Sequence, residues 1–442
     1  MTINAATAAY IRQHADADVR QLALQGVNSS DVDLAFALDQ IAGRQTAHRK
    51  LPSWAAIDGI VYPPHLSMEQ CSSELAARYK GGVIGKACLA TDGSTPREFR
   101  FVDLTGGFGV DFVGIAQRFI SHSSPDAACL TSSFVLTYVE RQEHLCDIAR
   151  TNFQLLGLGQ AEVVCADAEE YLRLMSPVDL IYIDPARRDS HGSRTYGISD
   201  CTPDVIALLS LLQTKARRLL LKLSPMLDWR KAVSDLGEEN VIEVHIVSVQ
   251  NECKELLVLM EPTPSSSRRE GRLICSNIVN ADELQRFEYH YPLSNTSGNN
   301  SPSMALGHQY PLLSGGETDD GSLACYLYEP NASIMKAGCF NELSARFGVT
   351  PLAQNSHLFV SATLIPDFPG RCFAVTAVTS LNKRELKVAL SGLTRVNITV
   401  RNFPLTVAEL RRRLKLSEGG STYIFATTLA NGDKILLLCR KP

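Results

Sequence analysis

The sequence predicts an α/β fold built around a mostly parallel sheet. Strand-like and helix-like patterns alternate between residues 101 and 261, which is typical of a parallel sheet with helices on both faces. A glycine-rich turn follows the first strand, and acidic residues stand at the ends of the next three. Because the carboxyl ends of parallel strands meet at one edge of a sheet, these observations together predict a ligand site at that edge.

Each strand is predicted from a short apolar run, and each helix from apolar residues at helical spacing. The seven predicted strands cover residues 101–104, 134–140, 161–165, 178–183, 218–223, 241–249 and 255–260. The predicted helices between them cover residues 110–119, 142–156, 168–174, 202–216 and 228–236. Only residues 250–254 separate the last two strands. This is a hairpin connection, so the seventh strand is predicted to run antiparallel to the others.

The segments on either side of this region have their own patterns. Residues 1–69 are predicted to be helical, because apolar residues recur at helical spacing, and a short helix is predicted over 72–80. Residues 262–272 predict an exposed turn, and the stretch 293–322, rich in Ser, Asn and Gly, predicts a flexible loop. The C-terminal part is predicted to be a small α+β unit, with strands at 396–400, 423–428 and 434–438 and a helix at 406–414.

Length and composition restrict the class of protein. A chain of 442 residues with 45% apolar and 20% charged residues predicts a globular protein of two or three domains. No apolar run is long enough to span a membrane, and the N-terminus lacks the pattern of a signal peptide. The twelve cysteines include no C-x-x-C pair, so we expect reduced thiols, no zinc site and a cytoplasmic location.

The glycine-rich turn is the segment Asp103-Leu104-Thr105-Gly106-Gly107-Phe108-Gly109-Val110-Asp111. Glycine permits positive φ and lets a ligand approach the backbone closely, and the helix that follows presents unpaired N–H groups. The segment therefore predicts a nucleotide site. A NAD-dependent dehydrogenase fits poorly, because the turn lacks the third glycine of that fingerprint.

Three acidic positions make this prediction more specific. Glu140 ends the second strand, where a carboxylate can accept hydrogen bonds from both hydroxyls of a ribose. Asp167 follows the third strand, where it would accept a hydrogen bond from an adenine amino group or, alternatively, cap the helix at 168–174. Asp184 and Pro185 end the fourth strand.

These motifs resemble the ordered motifs of class I S-adenosylmethionine-dependent methyltransferases, whose seven-stranded Rossmann-like sheet is mostly parallel with one antiparallel hairpin strand. Over nearly its whole length the chain also resembles a bacterial group of methyltransferases with a C-terminal THUMP-like domain. Residues 72–74, 78–80, 103–111, 184–188 and 401–405 carry that likeness. The resemblance implies a helical N-terminal region at 1–69 and a methyltransferase domain at 70–285. It also implies two small α+β domains. Residues 286–378 would form a linker and a ferredoxin-like domain, and residues 379–442 would form the THUMP-like domain.

The resemblance implies roles for individual residues in binding S-adenosylmethionine, the expected cofactor. Asp103 would lie near its amino group, Glu140 would hold the ribose and Asp167 the adenine. The glycines of the turn would approach the methionine moiety. The other residues expected to bind the cofactor are Thr105, Gly106, Gly107, Gly109, Asp111 and Lys80.

The expected catalytic residues are Asp184, Pro185 and Arg187. Methyltransferases that act on base amino groups usually have a second proline and an aromatic residue here, where this chain has Ala186 and Arg187. We expect a direct displacement in which Asp184 positions an amine and takes its proton. Arg187 and Lys222 are expected to contact the substrate, although Lys222 could instead form a salt bridge at the sheet edge. The strand that carries Lys222 ends without a cysteine, which argues against a covalent cysteine mechanism.

The charge distribution points to an anionic partner. Residues 371–442 contain thirteen Lys and Arg against four Asp and Glu, in a chain whose net charge is −4. Arg401, Arg411 and Arg412 suit a phosphate backbone, although a helix surface that faces water has the same pattern. Arg44 and Lys50 in the N-terminal region allow the same two interpretations.

THUMP domains are associated with RNA recognition, so the resemblance implies a methyltransferase that acts on a base of tRNA or rRNA. Two alternatives stay open. One is a methyltransferase for a small molecule or a protein. The other is a non-catalytic RNA-binding protein with a vestigial methyltransferase fold.

Overall fold

The structure, a computed structural model, describes residues 4–27, 29–88, 98–121, 133–187, 197–261, 270–293 and 325–442. The chain divides into two compact units. The first comprises Met1–Val249, Lys254–Arg272 and Tyr291–Ser294. The second comprises Gln250–Cys253, Leu273–His290 and Asn295–Pro442.

The first unit begins with helices, as predicted. These are α1 (Ala5–Gln13), α2 (Val19–Gln25), α3 (Leu34–Lys50), α4 (Pro52–Ala55), α5 (His65–Gln70) and α6 (Glu74–Cys88). The side chains of Asn4, Asp18 and Asp33 accept hydrogen bonds from the first turns of α1, α2 and α3 and so fix where these helices begin. Helix α6 is longer than the helix predicted over 72–80.

The helical region packs as part of the first unit. Gln40 of α3 is buried, and its carboxamide pairs with the backbone of Tyr62 through two hydrogen bonds, each of 2.8 Å. A buried carboxamide needs such partners, because leaving its polar groups unpaired costs about 1–3 kcal/mol. The pairing fixes the segment between α4 and α5 against α3.

The sheet of the first unit follows the predicted alternation. Its strands are β1 (Glu98–Asp103), β2 (Ser133–Glu140), β3 (Glu162–Cys165), β4 (Val178–Ile183), β7 (Ala216–Leu223), β8 (Val241–Val249) and β9 (Glu252–Met260), with β5 (Ala186–Arg187) and β6 (Cys201–Thr202) forming a separate two-stranded ribbon. The helices are α7 (Val110–Ser121), α8 (Glu143–Leu155), α9 (Ala168–Leu174), α10 (Val205–Lys215) and α11 (Trp229–Leu236).

The seven predicted strands lie in the order β8-β9-β7-β4-β1-β2-β3. Strands β7, β4, β1, β2 and β3 pair in parallel, and β9 pairs antiparallel with β7, which confirms the predicted hairpin strand. Two unpredicted strands, β10 (Glu270–Ile278) and β11 (Leu284–Pro292), lie mostly within the second unit, which includes Leu273–His290. They were missed because polar residues interrupt their apolar pattern, and residues 270–272, predicted as a turn, begin β10.

Register brings the strand ends together. Asp103, the last residue of β1, lies beside Tyr138 of β2 and beside Tyr182 of β4. Behind the glycine-rich turn, Phe112 and Phe153 stack with their ring centroids 4.9 Å apart. These buried rings hold the turn and the ends of β1 and β2 in fixed positions.

The second unit is the predicted α+β unit, with more strands than the sequence indicated. Its strands are β12 (Tyr326–Pro330), β13 (Thr350–Pro351), β14 (Phe359–Ser361), β15 (Gly370–Ser380), β16 (Arg395–Arg401), β17 (Ser417–Thr428) and β18 (Lys434–Arg440). They form one sheet in the order β13-β14-β12-β15-β18-β17-β16. The helices are α12 (Ala332–Ala337), α13 (Phe340–Phe347), α14 (Lys383–Ala389) and α15 (Val407–Leu414). Of the loop predicted at 293–322, only residue 293 lies within the described ranges.

Candidate functional site

A cavity of about 820 Å³ lies in the first unit at the carboxyl ends of β1, β2, β3, β4 and β7. This is the edge at which open α/β sheets bind ligands, and the volume suits a ligand of nucleotide size. The predicted site residues that line the cavity are Asp103, Thr105, Gly106, Gly107, Gly109, Asp111, Glu140, Asp167, Asp184, Pro185 and Lys222.

The glycines of the turn are required by packing as well as by access. A Cβ atom on Gly106 would stand 2.1 Å from the ring of Tyr138, so no larger residue fits. Gly107 and Gly109 have φ values of 55° and 86°, which favour glycine. The shape of the turn therefore depends on glycine at these three positions.

Asp103 lines the cavity and has one side-chain oxygen without a partner among the described residues. Its side chain is buried, Oδ1 accepts a hydrogen bond of 2.9 Å from the Thr105 N–H, and Oδ2 has no partner among the described residues. Burial, followed by the nearby carboxylates of Asp111, Asp184 and Glu140, raises the pKa of Asp103 well above its ordinary value. A cationic group from a ligand would satisfy this oxygen and favour its charged form.

Glu140 is held in one orientation by backbone donors. Its Oε2 accepts a hydrogen bond of 2.9 Å from the Gly107 N–H, and its Oε1 accepts one of 2.9 Å from the Gln142 N–H. Each carboxylate oxygen has a second lone pair. The carboxylate can therefore accept further hydrogen bonds from a ligand without losing those that position it.

Asp167 caps helix α9, which was one of its two predicted roles. Its Oδ1 accepts hydrogen bonds of 2.8 Å and 3.3 Å from the N–H groups of Glu169 and Glu170. Both bonds end on the same oxygen, so the cap leaves Oδ2 for another donor. Asp167 also lines the cavity, so capping and ligand binding are compatible.

Asp184 forms hydrogen bonds with residues at the ends of two neighbouring strands, β1 and β7. Its backbone N–H donates a hydrogen bond of 2.7 Å to the Thr105 hydroxyl, and its Oδ2 lies 2.5 Å from Nζ of Lys222. Of the two roles considered for Lys222, the salt bridge is therefore present, and it lies in the wall of the cavity. Burial acts to lower the pKa of Lys222, but Asp184, Asp111 and Glu255 raise it above its ordinary value.

Lys80 does not line the cavity. It is fully buried, and its ammonium lies 2.6 Å and 2.7 Å from the two carboxylate oxygens of Glu255 and 3.2 Å from Oδ1 of Asp111. Lys80 contacts Asp111, which does line the cavity, and a contact between Lys80 and the cofactor stays a prediction.

Asp111 is the most heavily bonded carboxylate of the site. Its Oδ2 accepts hydrogen bonds of 2.7 Å from the Tyr182 hydroxyl and 2.9 Å from the Ser72 hydroxyl. Burial acts to raise its pKa, but Lys80 and Lys222 reverse that effect and leave the pKa of Asp111 lowered. Asp111 is therefore a fixed anion in the cavity wall.

Helix α5 and the segment between it and α6 supply part of the cavity, for which the sequence analysis named no individual residues. Ser67, Gln70, Cys71 and Ser72 line it. The available signal was the run of polar residues immediately before the helix predicted over 72–80. Burial raises the pKa of Cys71 to about 11, so this cysteine is a neutral thiol and a poor nucleophile at neutral pH.

The other residues predicted to contact the substrate either bind groups of the protein itself or have side chains outside the described residues. Lys50 donates hydrogen bonds to the carbonyls of Met68 and Glu69 at the end of α5. The backbone of Arg187 pairs with Cys201 in the β5–β6 ribbon, but its side chain, like all of Arg188, lies outside what the structure describes.

The basic residues of the second unit differ in their surroundings. Arg401 donates hydrogen bonds of 3.1 Å and 2.8 Å to Oε1 of Glu329, whose other oxygen is bound by Arg371. Arg411 donates to the Val396 carbonyl at 3.3 Å. Arg412 is exposed on α15. The prediction of a phosphate contact therefore fits Arg412 better than Arg401, whose guanidinium is engaged in the fold.

Neither a metal centre nor a membrane helix is found in the part of the chain that the structure describes. No cluster of three or more His, Cys, Asp or Glu side chains there could hold a metal ion. No helix within the described ranges is both long enough and apolar enough to cross a membrane.

Comparisons with known proteins agree with this architecture. Residues 326–369 match a family model described as a ferredoxin-like domain, and residues 370–441 match one described as THUMP domain-like. A solved structure of a candidate methyltransferase from Porphyromonas gingivalis W83 is 29% identical to this chain, with 100% of each chain covered and a TM-score of 0.76. The chain has a methyltransferase fold with a THUMP-like C-terminus. The fold and the family resemblance expected from the sequence are thereby confirmed.

Two further solved structures match part of this protein's chain. A candidate class I S-adenosylmethionine-dependent methyltransferase from Listeria monocytogenes is 10% identical, with 62% of this chain and 94% of that chain covered and a TM-score of 0.38. A candidate RNA methyltransferase from Pyrococcus horikoshii is 13% identical, with 50% and 98% covered and a TM-score of 0.33. A comparison with curated proteins gave no match.

Proposed function

We propose that this protein is an S-adenosylmethionine-dependent methyltransferase that methylates a base of RNA by direct transfer. The cofactor assignment rests on one observation above all. Oδ2 of Asp103 is a buried acceptor without a partner among the described residues, and Asp103 belongs to the lining of a cavity beside the glycine-rich turn. Burying such an oxygen is costly unless a ligand supplies a donor, and the α-ammonium group of S-adenosylmethionine is a donor of the right charge.

The other ligand groups have matching partners. Glu140 would accept hydrogen bonds from the ribose hydroxyls through the lone pairs that its backbone donors leave unused. Asp167 would accept one from the adenine amino group through Oδ2. Gly107 and Gly109 would let the methionine moiety approach the backbone.

The catalytic part of the proposal concerns Asp184. When bound, S-adenosylmethionine supplies an electrophilic methyl group on sulfur. Asp184 would accept a hydrogen bond from the substrate amine through Oδ1, because Lys222 occupies Oδ2, and would take the proton that the amine loses. Thr105, by accepting the Asp184 N–H, would hold this carboxylate at the strand end. Pro185 would limit backbone movement there.

The RNA assignment rests on the C-terminal part of the chain. Residues 370–441 match the THUMP domain-like model, and Arg412 and Lys415 of this region are exposed cations. Cations of this kind bind phosphates and release counterions. The resemblance to THUMP-containing methyltransferases supports RNA over a small molecule or a protein.

Transfer of labelled methyl groups tests this proposal. The protein is incubated with methyl-labelled S-adenosylmethionine and, separately, with RNA, protein and small-molecule fractions from cells that lack the gene. We expect label in the RNA, confined to one modified nucleoside. Label in another fraction would assign a different substrate class, and no label in any fraction would favour the non-catalytic alternative.

Two variants accompany that measurement. Asp184→Ala should abolish transfer and leave cofactor binding largely intact. Asp235→Ala is the matched control, because Asp235 forms only a surface pair with Lys231 on α11. Normal turnover by the Asp184 variant would show that the catalytic assignment is wrong.

A further inference from the structure

Five charged side chains of alternating sign form a row that ends in the cavity. Glu255 of β9 lies 2.6 Å from Lys80 of α6, and Lys80 lies 3.2 Å from Asp111 of α7. Asp111 lies 3.8 Å from Lys222 of β7, which lies 2.5 Å from Asp184 at the end of β4. The row therefore joins five separate elements of the first unit.

Exposure is lowest at the Glu255–Lys80 end of the row and highest at Asp184. The side chains of Lys80 and Glu255 are 0% and 2% exposed, that of Asp111 is 11%, that of Lys222 is 14% and that of Asp184 is 36%. Asp111, Lys222 and Asp184 line the cavity, and Asp184 is the most exposed of the three. The buried part of the row can act on a ligand in the cavity only through these three residues.

The stability of the fold does not explain why these charged residues are buried in a row. Burying charges costs several kcal/mol per ion, and well-packed apolar residues often stabilise a fold at least as well as a buried pair. Such a row does, however, fix the position and the charge of its last members. Strong charge perturbation in a cleft is typical of functional sites.

We infer that Lys222 is a positioning residue that also selects the substrate base. Its ammonium holds Oδ2 of Asp184, which leaves Oδ1 to accept a hydrogen bond from the substrate amine. The remaining N–H groups of the ammonium can donate to an acceptor beside that amine. The matching substrate is a base whose exocyclic amino group adjoins a ring nitrogen or a carbonyl oxygen. This inference rests on the proposed function and deepens it.

The surroundings of Lys222 keep it charged. Asp184, Asp111 and Glu255 face it from β4, α7 and β9, and together they outweigh the effect of burial on its pKa. Cys71, which also lies near it, has a raised pKa and is neutral. Lys222 therefore keeps all three of its N–H donors through the pH range in which the enzyme is assayed.

The anchor behind Lys222 is Asp111. Tyr182 and Ser72 donate hydrogen bonds to its Oδ2, and Lys80 contacts its Oδ1. Lys80 in turn is fixed by both oxygens of Glu255. If Lys222 rotated away from Asp184, its ammonium would therefore still face the carboxylate of Asp111, which is held in place by these contacts.

Substitution of Lys222 tests the inference with the RNA assay described above. Lys222→Met removes the charge and keeps most of the side-chain volume, and Lys222→Arg keeps the charge. Lys231→Met on the exposed face of α11 is the control. We expect Lys222→Met to lower kcat about 100-fold, the order of loss that a small misplacement of a catalytic group causes, while the Kd for S-adenosylmethionine changes less than about threefold.

Rescue distinguishes positioning from a general structural role. We expect Lys222→Arg to recover about a tenth or more of the lost kcat, because it restores the cation beside Asp184. The inference is overturned if Lys222→Met keeps kcat within about threefold of the wild type. It is also overturned if cofactor affinity falls as much as kcat, since that would indicate a collapsed site.

A second measurement does not depend on the substrate. With lysines labelled by ¹³C at Cε, NMR compares the Cε resonance of Lys222 in the wild type and in Asp184→Asn at neutral pH. We expect this resonance to shift in the variant, because the carboxylate that contacts the ammonium is lost. Failure of the wild type to methylate RNA would count against the proposed function alone. An unchanged Lys222 resonance in Asp184→Asn would overturn the inference whatever the substrate.

Discussion

The carboxamide of Asn152 pairs with the backbone of Val61 through two hydrogen bonds. The Val61 N–H donates to Oδ1 at 2.9 Å, and Nδ2 donates to the Val61 carbonyl at 2.8 Å. Asn152 lies on α8 and is fully buried, whereas Val61 belongs to the N-terminal helical region. The contact explains how that region, which supplies Ser67 to the cavity, is fixed to helix α8.

Replacement of Asn152 by leucine should destabilise the first unit. It leaves the N–H and the carbonyl of Val61 unpaired, at a cost of about 2–4 kcal/mol in the free energy of unfolding. Both tryptophans, Trp54 and Trp229, belong to the first unit, so their fluorescence during denaturant unfolding measures this change. Gln154→Leu, on the exposed side of α8, is the control. Equal midpoints for the two variants would contradict the assignment.

Gly106 should not tolerate even a methyl group. Its Cβ would meet the Tyr138 ring at 2.1 Å, and overpacking of a filled core typically costs about 1–3 kcal/mol. Gly106→Ala should therefore unfold at lower denaturant concentration than the wild type. The control is Gly82→Ala in helix α6, where no described atom outside the adjacent backbone of that helix lies within 4 Å of the added carbon and the stability should stay unchanged or rise by up to about 1 kcal/mol. A wild-type midpoint for Gly106→Ala would show that the turn adapts.

Glu329 should be essential to the second unit. Its carboxylate is 3% exposed and accepts hydrogen bonds from Arg371 and Arg401, which are themselves 41% and 36% exposed, so loss of its charge should cost about 1–3 kcal/mol. Glu329→Gln should speed amide hydrogen exchange in β12 and β15. Glu418→Gln is the control, because Glu418 is 81% exposed and 3.8 Å from Arg411. The same exchange rates in both variants would refute this role.

The raised pKa of Asp103 predicts a pH dependence of stability in the absence of cofactor. The folded carboxyl keeps its proton at pH values at which the unfolded one, with an ordinary pKa of 3.8, has lost it. The folded state thus binds more protons, and the free energy of unfolding falls as pH rises from about 4 through the raised pKa.

Asp103→Asn lacks this titration. We expect the melting temperature of the wild type, relative to that of Asp103→Asn, to fall as the pH is raised from 4 to 9. A difference that stays constant, or that changes in favour of the wild type, would show that burial does not govern this carboxyl.

Local pattern was enough to predict most of the sheet. The predicted strands and helices of the first unit agree with β1–β4, β7–β9 and α7–α11 to within a few residues, because apolar runs and helical spacing report burial directly. Once the strands were predicted, the positions of the glycine-rich turn and of the acids Glu140, Asp167 and Asp184 followed from them. They follow strands whose ends meet in any parallel sheet.

Pairing between distant segments could not be predicted in this way. Lys80 and Glu255 are 175 positions apart, and Lys222 and Asp184 are 38 apart. Nothing in the local sequence states which of many charged residues will meet after folding. The same holds for Arg401, which suited a phosphate contact by its charge but is bound to Glu329.

Retention of labelled S-adenosylmethionine by equilibrium dialysis tests the central claim most directly. We predict that the wild type retains about one molecule per chain at saturation. Asp103→Asn should bind roughly 10- to 100-fold more weakly, because a hydrogen bond between charged groups contributes about 1.5–3 kcal/mol. No retention by the wild type, or equal affinity of the two proteins, would contradict the claim that the unpaired oxygen of Asp103 marks the cofactor site.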